Sequence, residues 1–159
     1  MAKKIKPASD KIDSRRGVDY IGVTTPFIIH DGQGRILLQK RSKNCRDEQG
    51  RWDVGGGSME FGEDWEQSVR REVKEELCVE ALEVKFLKAF NALRNNGGTF
   101  THWVALVHSV LVDPSKVRIG EPHKIDEIGW FTLKDLPEPL HSQIGHGIDA
   151  ALEAGILAE

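Results

Sequence analysis

Cysteine is scarce in this sequence, and so are long apolar runs. The 159 residues include two cysteines, Cys45 and Cys78, whose spacing matches no metal-binding motif. With no secretory signal ahead of them, two such thiols are typical of a protein in a reducing compartment, so we expect both to be free and the protein to be cytoplasmic. No apolar stretch approaches the length of a membrane span, which argues against a membrane partner.

The common sequence motifs for phosphate binding are also absent. No Gly-x4-Gly-Lys-Ser/Thr run occurs, and no Gly-x-Gly-x-x-Gly follows a predicted strand. The run Gly55-Gly56-Gly57 is only a glycine cluster. If this protein acts on phosphates, it must therefore hold them by other means.

A large surplus of charge of one sign is missing too. The formal net charge of −3 favours neither a protein that coats nucleic acid nor one that binds membrane surfaces. Locally, residues 1–16 carry six basic and two acidic side chains and few apolar ones, which predicts a disordered basic tail. The chain has an ordinary hydrophobic content of 39%, and residues 17–159 are predicted to form a single domain.

What the sequence does contain is a clear amphipathic helix. Glu63 and Asp64 follow a glycine and suit the open amide groups at a helix start, so a helix is predicted from there to about Leu77. Four apolar residues recur at every fourth position, which places them on one arc that should face the core. These residues are Trp65, Val69, Val73 and Leu77.

Three carboxylates on this helix, Glu72, Glu75 and Glu76, stand at i, i+3 and i+4 and must lie close together. On a helical wheel Glu76 lies within roughly 40° of the centre of the apolar arc and Glu72 within roughly 80°, while Glu75 lies further round. A solvated acidic face is one interpretation, because most charged runs are simply solvated. A carboxylate near the core is rarely left unpaired, which favours the other interpretation, a site for a hard cation such as Mg²⁺ or Mn²⁺. Because Mg²⁺ commonly shares substrate phosphate oxygens, the implied substrate is a phosphate ester or anhydride.

The remaining apolar segments predict a mixed sheet. Strands are predicted at Tyr20 to His30 with an interruption at Pro26, and at Arg35 to Arg41, Leu82 to Leu93, Thr99 to Val112 and Ile125 to Thr132. The turn sequences Asp31 to Gly34 and Arg94 to Gly98 should join these strands into two hairpins. A closing helix is predicted from Pro139 to Leu157. One helix in the middle and one at the end indicate an α+β or mixed α/β fold.

The stretch from Gly57 to Val79 resembles the Nudix hydrolase signature, Gly-x5-Glu-x7-Arg-Glu-U-x-Glu-Glu-x-Gly-U, in which U is aliphatic. The matching residues are Gly57, Glu63, Arg71, Glu72, Val73, Glu75, Glu76 and Val79. Cys78 departs from the signature, which has glycine there. That glycine usually supplies a left-handed helix cap, so either the helix ends differently or Cys78 accepts a strain of about 1–2 kcal/mol. Because Cys78 lies beyond all three acids, we expect the acidic site to survive.

The flanking segments resemble the same family. Trp52 to Gly57 is similar to its Trp-x-U-Pro-Gly-Gly approach, with Gly55 in place of proline. Glu121 to Pro137 is similar to the segment that closes many nucleotide-directed, MutT-like members. The resemblance covers about Val18 to Pro139. It implies the Nudix α/β/α sandwich, with a mixed β-sheet, a catalytic helix and a C-terminal helix.

The resemblance also implies roles for single residues. The ligands of Mg²⁺, or of Mn²⁺ as a substitute, would be the Gly57 carbonyl and the carboxylates of Glu72, Glu75 and Glu76. Arg71 would orient the acids through charge-assisted hydrogen bonds, and Glu63 would brace the junction of loop and helix. The general base would be either Glu72 or Glu121.

Four residues outside the signature are predicted to contact the substrate, although each would also be an ordinary strand or loop residue. They are Arg41, Asn91, His102 and Trp103. The implied activity is Mg²⁺-dependent hydrolysis of a nucleoside diphosphate linked to another group, above all of an ordinary or modified nucleoside triphosphate to the monophosphate and pyrophosphate. Alternatives are an ADP-ribose or nucleotide-sugar pyrophosphatase, a non-hydrolytic nucleotide-sensing domain and a prenyl diphosphate isomerase. No stable nucleic-acid partner is expected, and exposed strand edges are compatible with a homodimer.

Overall fold

The computed structural model describes residues 14–158. Within that range the strands are β1 (Gly22–Thr24), β2 (Phe27–His30), β3 (Ile36–Arg41), β4 (Trp52–Asp53), β5 (Glu83–Asn96), β6 (Thr99–Leu111) and β7 (Ile125–Phe131). The helices are α1 (Trp65–Leu77) and α2 (Ile144–Glu153), and short 3₁₀ turns occur at Pro114–Lys116 and Leu133–Asp135. In the described range, neither α1 nor α2 is long and apolar enough to cross a membrane.

The predicted tail lies mostly outside the described residues, which begin at residue 14. Arg15 and Arg16, at the end of the predicted tail, do make contacts. The Arg15 side chain pairs with Asp19, with 3.2 Å between Nε and Oδ2. The Arg16 guanidinium donates a hydrogen bond of 2.9 Å to the carbonyl of Met59. The chain is therefore attached to the domain from Arg15 onward.

The strands form one mixed sheet, as predicted. Strand β6 pairs in parallel with β1 and β2, and antiparallel with β5. Strand β3 pairs antiparallel with β2, β4 and β7. The predicted hairpins β2–β3 and β5–β6 are confirmed, and the interruption at Pro26 separates β1 from β2.

The two helices cover opposite faces of this sheet, so the α/β/α sandwich is confirmed. Alternate residues of the central strands point to opposite faces. One core cluster joins Phe27, Ile29 and Leu37 to Val69, Val73 and Leu77 of α1. The other joins Ile28, Ile36 and Leu38 to Ile144, Ala150 and Ala151 of α2.

Helix α1 begins and ends where its sequence indicates. The Asp64 side chain accepts a hydrogen bond from the amide of Gln67, and the Gln67 side chain accepts one from the amide of Asp64. Cys78 ends the helix in the left-handed conformation, with φ of 53°, so the strain is accepted. The expectation that Trp65 faces the core is wrong, because its side chain is 53% exposed. As the first helical residue it lies past the core and packs against Phe86 of β5, with ring centroids 6.3 Å apart.

Three other boundaries differ from the prediction. Strand β5 continues through Arg94 to Asn96, so the turn is only the pair Gly97–Gly98, whose φ angles of 60° and 92° suit glycine. Strand β4 was not predicted. Helix α2 begins at Ile144 and not near Pro139, because Pro139 and Leu140 run beside β4, where the amide of Trp52 donates to the Pro139 carbonyl.

Candidate active site

The three carboxylates of α1 differ in burial in the order that the helical wheel predicts. Glu76 is 7% exposed, the Glu72 side chain is 12% exposed and the Glu75 side chain is 51% exposed. The helix thus directs one carboxylate into the protein, keeps one at the border and leaves one in solvent. Only a buried carboxylate needs a partner to balance its lost hydration.

Glu76 has one such partner in Gln39 of β3. The Gln39 Nε2 donates a hydrogen bond of 2.8 Å to Glu76 Oε2. The pKa of Glu76 is raised to about 8, mainly by burial and also by the nearby charges of Glu72 and Glu121, against the lowering effect of the Gln39 hydrogen bond. The oxygen of the same amide group, Gln39 Oε1, is buried and has no hydrogen-bond partner among the described residues. This end of the cleft therefore combines a destabilised carboxylate with an unused oxygen acceptor.

Arg71 connects the acids of the loop and the helix. Its guanidinium binds both oxygens of Glu63, at 2.6 Å and 3.0 Å, and donates to Glu72 Oε1 at 2.5 Å. A longer contact of 3.4 Å reaches Glu75. The hydrogen bond from Arg71 lowers the pKa of Glu63. For Glu72, burial outweighs Arg71 and raises the pKa of the carboxyl.

Glu63 also braces the loop before the helix. Its Oε2 accepts a hydrogen bond of 2.9 Å from the amide of Glu60. The same carboxylate therefore fixes both Arg71 and the chain that leads into α1.

Gly57 lies directly against the Glu72 carboxylate. A Cβ atom at Gly57 would stand 2.2 Å from Glu72 Cδ, so any other residue there would displace the carboxylate. The Gly57 carbonyl accepts hydrogen bonds from the Thr25 amide at 2.9 Å and from the Thr24 hydroxyl at 3.0 Å. A metal contact of this carbonyl would have to coexist with those donors.

Glu121 reaches the same region from the loop before β7. This loop caps the C-terminal end of α1, because the amides of Arg118 and Gly120 donate to the carbonyls of Leu77 at 3.0 Å and Glu76 at 2.8 Å. A Cβ atom at Gly120 would lie 2.1 Å from the Glu75 carbonyl oxygen. The close contact at Gly120 thus fixes Glu121 relative to the helix that carries the other acids.

Of these groups, Gly57, Glu76 and Glu121 border a cleft of about 610 Å³. Its lining includes Gln39, Glu76 and Glu121 at one end, and Asp53, Phe90, Arg94, Trp103 and His141 elsewhere. Of the predicted substrate contacts, Arg41 and Trp103 line the cleft. Asn91 and His102 do not line it. They bind each other at 3.0 Å on the opposite face of the β5–β6 hairpin, because side chains alternate along a strand.

Arg41 is held by a half-buried network that no pattern in the sequence predicts. Its guanidinium donates to the Asp47 carboxylate at 2.8 Å, and Arg94 binds the other Asp47 oxygen at 3.1 Å. No spacing motif marks Asp47 as their partner. The only available signal was two acids, Asp47 and Glu48, in a loop otherwise rich in basic residues.

The same network includes a neutral histidine and a second perturbed carboxyl. His141 contacts Glu48 through Nε2, and its Nδ1 accepts a hydrogen bond of 3.1 Å from the amide of Gln143. Burial lowers the pKa of His141 to about 4 despite the neighbouring Glu48. Burial also raises the pKa of Asp53 to about 7, against the effect of Arg41. This part of the cleft wall is therefore polar but nearly charge-balanced near neutral pH.

The acids suit an oxygen-seeking divalent cation. Within residues 14–158, no three His, Cys, Asp or Glu side chains already stand in the arrangement of an assembled metal site. The donor chemistry nevertheless fits, since Glu72 and Glu76 both have raised pKa values and an unpaired Gln39 oxygen adjoins them. A cation bound there would relieve the repulsion among carboxylates.

An α/β/α sandwich whose helix α1 directs a buried glutamate, Glu76, into a cleft is a fold that this chain shares with solved Nudix hydrolases. The chain belongs to the Nudix hydrolase family, whose NUDIX domain model matches residues 21–150.

The similar proteins support the same assignment. The chain is 29% identical over 119 residues to an uncharacterised Nudix hydrolase of Yersinia pestis. The aligned residues make up 70% of this chain and 59% of that protein. A MutT NUDIX hydrolase structure from Burkholderia pseudomallei is 31% identical, with a TM-score of 0.73 over 82% of this chain and 98% of that one. The NUDIX domain of Shewanella oneidensis NrtR, complexed with ADP ribose, shares the fold at 18% identity, with a TM-score of 0.70 over 91% of this chain and 92% of that one.

Proposed function

We propose that this protein is a Mg²⁺-dependent pyrophosphohydrolase that cleaves a nucleoside diphosphate linked to another group. The preferred substrate is an ordinary or modified nucleoside triphosphate, which yields the monophosphate and pyrophosphate. The observation that carries this proposal is the buried Glu76, whose raised pKa and position beside Glu72 and Glu121 call for a cation at the mouth of the cleft. Both cysteines are free, which agrees with a cytoplasmic enzyme.

The roles proposed for the side chains are those that the family resemblance implies, and their burial and contacts support them. Glu72, Glu75 and Glu76, with the Gly57 carbonyl, would hold the cation, which when bound neutralises charge that develops on the diphosphate oxygens. Arg71 keeps Glu72 in place through the contact at 2.5 Å.

Glu72 or Glu121 would accept the proton of the attacking water. Both are held at the cleft, Glu72 by Arg71 and Glu121 by Lys124. The E72Q and E121Q variants separate the two roles. A variant of the base loses kcat and keeps its affinity for Mn²⁺, whereas a variant of a ligand loses both.

The test is a product-resolved screen of nucleotides with Mg²⁺ and with Mn²⁺. We expect a monophosphate product in every productive reaction and at least a hundredfold lower kcat for Glu76→Gln, on the order of the effect of removing a charge-stabilising group. Glu66→Gln is the matched control, because Glu66 lies on the same helix but is exposed and pairs with Arg70 at 2.8 Å. Unchanged turnover in E76Q would remove the metal assignment.

A second candidate is a domain that binds ADP-ribose without hydrolysing it. It is motivated by the NrtR domain, which was solved with ADP ribose and shares the fold. The complete set of Arg71 and signature acids favours catalysis over this alternative. Binding of ADP-ribose with Mg²⁺ but no product after hours would decide for it. Gel filtration with light scattering would test the homodimer that we propose as the assembly.

A further inference from the structure

One lysine stands among the acids at the mouth of the cleft. The Lys124 ammonium lies 3.0 Å and 3.1 Å from the two oxygens of Glu121. The Lys124 side chain is 53% exposed, while that of Glu121 is 18% exposed. The ammonium is therefore the more exposed partner of this ion pair.

The backbone of Lys124 is fixed, so only its side chain has freedom to move. Its carbonyl accepts hydrogen bonds from the Ser42 amide at 2.9 Å and from the Cys45 thiol at 3.3 Å. Its amide donates to the Glu121 carbonyl at 2.9 Å. The long, flexible side chain of Lys124 can therefore change its conformation while its backbone stays fixed at the cleft.

Lys124 differs from the other basic residues of the cleft. Within the described residues, the cleft is lined by Lys40, Arg41, Arg46, Arg94 and Lys124. The first four pair with Glu127 or Asp47, neither of which belongs to the proposed ligand set. Lys124 alone in this group pairs with an acid of the catalytic end. Its charge also counteracts the raised pKa values of Glu72 and Glu76.

The neighbouring Gln39 indicates that a ligand belongs at this end of the cleft. Gln39 is 7% exposed and lines the cleft, yet its Oε1 lacks a hydrogen-bond partner among the described residues. A buried acceptor is rarely left unsatisfied, so a cation, a water or a donor of a bound molecule is expected beside this oxygen. Gln39 and Lys124 line the same cleft, so one ligand of the cleft can meet both.

We propose that Lys124 binds a phosphate oxygen of the substrate. In the free protein its ammonium stays paired with Glu121, until a divalent cation binds the acids of helix α1. This inference rests on the proposed function. A partly exposed ion pair is weak and is broken at little cost. A cation held by Glu72, Glu75 and Glu76 beside Glu121 would weaken the attraction between Glu121 and the ammonium, whose three N–H donors would then be available to the entering diphosphate. In the free protein, the positive charge of Lys124 therefore weakens cation binding. In the protein with the cation bound, the same charge strengthens binding of the substrate.

The Lys124→Met variant tests these opposite effects. Titration calorimetry with Mn²⁺ alone should show binding about three- to tenfold tighter than in the wild type, because a competing charge is gone. With Mn²⁺ present, inorganic pyrophosphate should bind about tenfold more weakly, and the KM for a nucleotide should rise more than kcat falls. A residue with only a structural role would weaken both kinds of binding.

Two further variants and one control complete the test. Lys124→Arg keeps the charge and should keep both affinities within about threefold of the wild type. Lys134→Met removes an equal charge from an exposed residue outside the cleft and should leave both affinities unchanged. Circular dichroism checks folding, and K124Q replaces K124M if the latter unfolds.

The outcomes separate this inference from the proposed function. If K124M binds Mn²⁺ no more tightly than the wild type, or binds pyrophosphate equally well, the inference is overturned. If the wild type hydrolyses no nucleotide of the panel, the proposed function fails. The Mn²⁺ and pyrophosphate titrations would still decide the role of Lys124.

Discussion

Replacement of Glu76 by glutamine should stabilise the metal-free protein while it removes the cation site. The change Glu76→Gln keeps the shape of the side chain and leaves an oxygen that accepts the hydrogen bond from Gln39. What it removes is a carboxylate whose pKa burial raises from 4.5 to about 8. A carboxyl group with a raised pKa destabilises the folded state as the pH rises, because the unfolded chain loses its proton first.

The size of the effect follows from the two pKa values. Each pKa unit corresponds to about 1.4 kcal/mol, so the penalty is absent below pH 4.5, grows through neutral pH and is complete above about 8. At pH 7 it amounts to about 3 kcal/mol as an upper limit. For a domain of this size, this difference would raise the melting temperature of E76Q by about 6–12 °C over the wild type.

Thermal unfolding of both proteins in EDTA at pH 5, 7 and 8.5 is the measurement. The difference between the proteins isolates Glu76, since Asp53, whose pKa burial raises to about 7, is present in both. We expect a small difference at pH 5 that widens to pH 8.5. Saturating Mg²⁺ should reverse the order, because a ligand stabilises only the protein that binds it. A variant that melts at or below the wild-type temperature in EDTA at pH 8.5 would refute the reasoning.

Three glycine-related changes test the geometry around the helix. Gly120→Ala should reduce stability by more than about 2 kcal/mol in urea unfolding and also lower kcat, because the new Cβ meets the Glu75 carbonyl at 2.1 Å. Gly145→Ala is its counterpart in α2, where nothing lies within 4 Å of the new Cβ, and should stabilise by up to about 1 kcal/mol. Cys78→Gly should stabilise by about 1 kcal/mol without loss of activity, since it relieves the left-handed conformation at φ of 53°. An equal or lower urea midpoint for C78G or G145A would contradict these two expectations.

Helix α1 could be predicted closely because its determinants are local. The cap residues Asp64 and Gln67 stand three positions apart, and the apolar arc repeats within one helix. The order of burial from Glu76 through Glu72 to Glu75 follows from the helical period alone. Only Trp65 departed, since a helical period does not indicate where the sheet beneath the helix ends.

The features that could not be predicted depend on residues far apart in the chain. Strand β4 has only two residues, and it is a strand because Trp52 and Asp53 pair with Lys40 and Gln39 of β3. The contact of Glu48 with the Ser142 amide joins residues 94 positions apart. A segment of two residues has no measurable period, and a polar contact over that separation leaves no spacing signal. For the same reason the sequence could not show that Asn91 lies on the far side of the hairpin.

Strand β3 contacts both the signature acids and the half-buried polar network around Arg41. Gln39 holds Glu76, and Arg41, two residues further, is held by Asp47. Asp53 of β4 pairs with Gln39 in the register of β3 and β4. The chemical end of the cleft is therefore positioned by the helix, while the opposite wall is positioned by a loop and a distant histidine. Within the described residues, the signature residues form no hydrogen bond or ion pair with that wall. We therefore expect that its polar groups can change without disturbing the acids, and we propose that the residues that recognise the nucleotide lie in this wall, outside the signature.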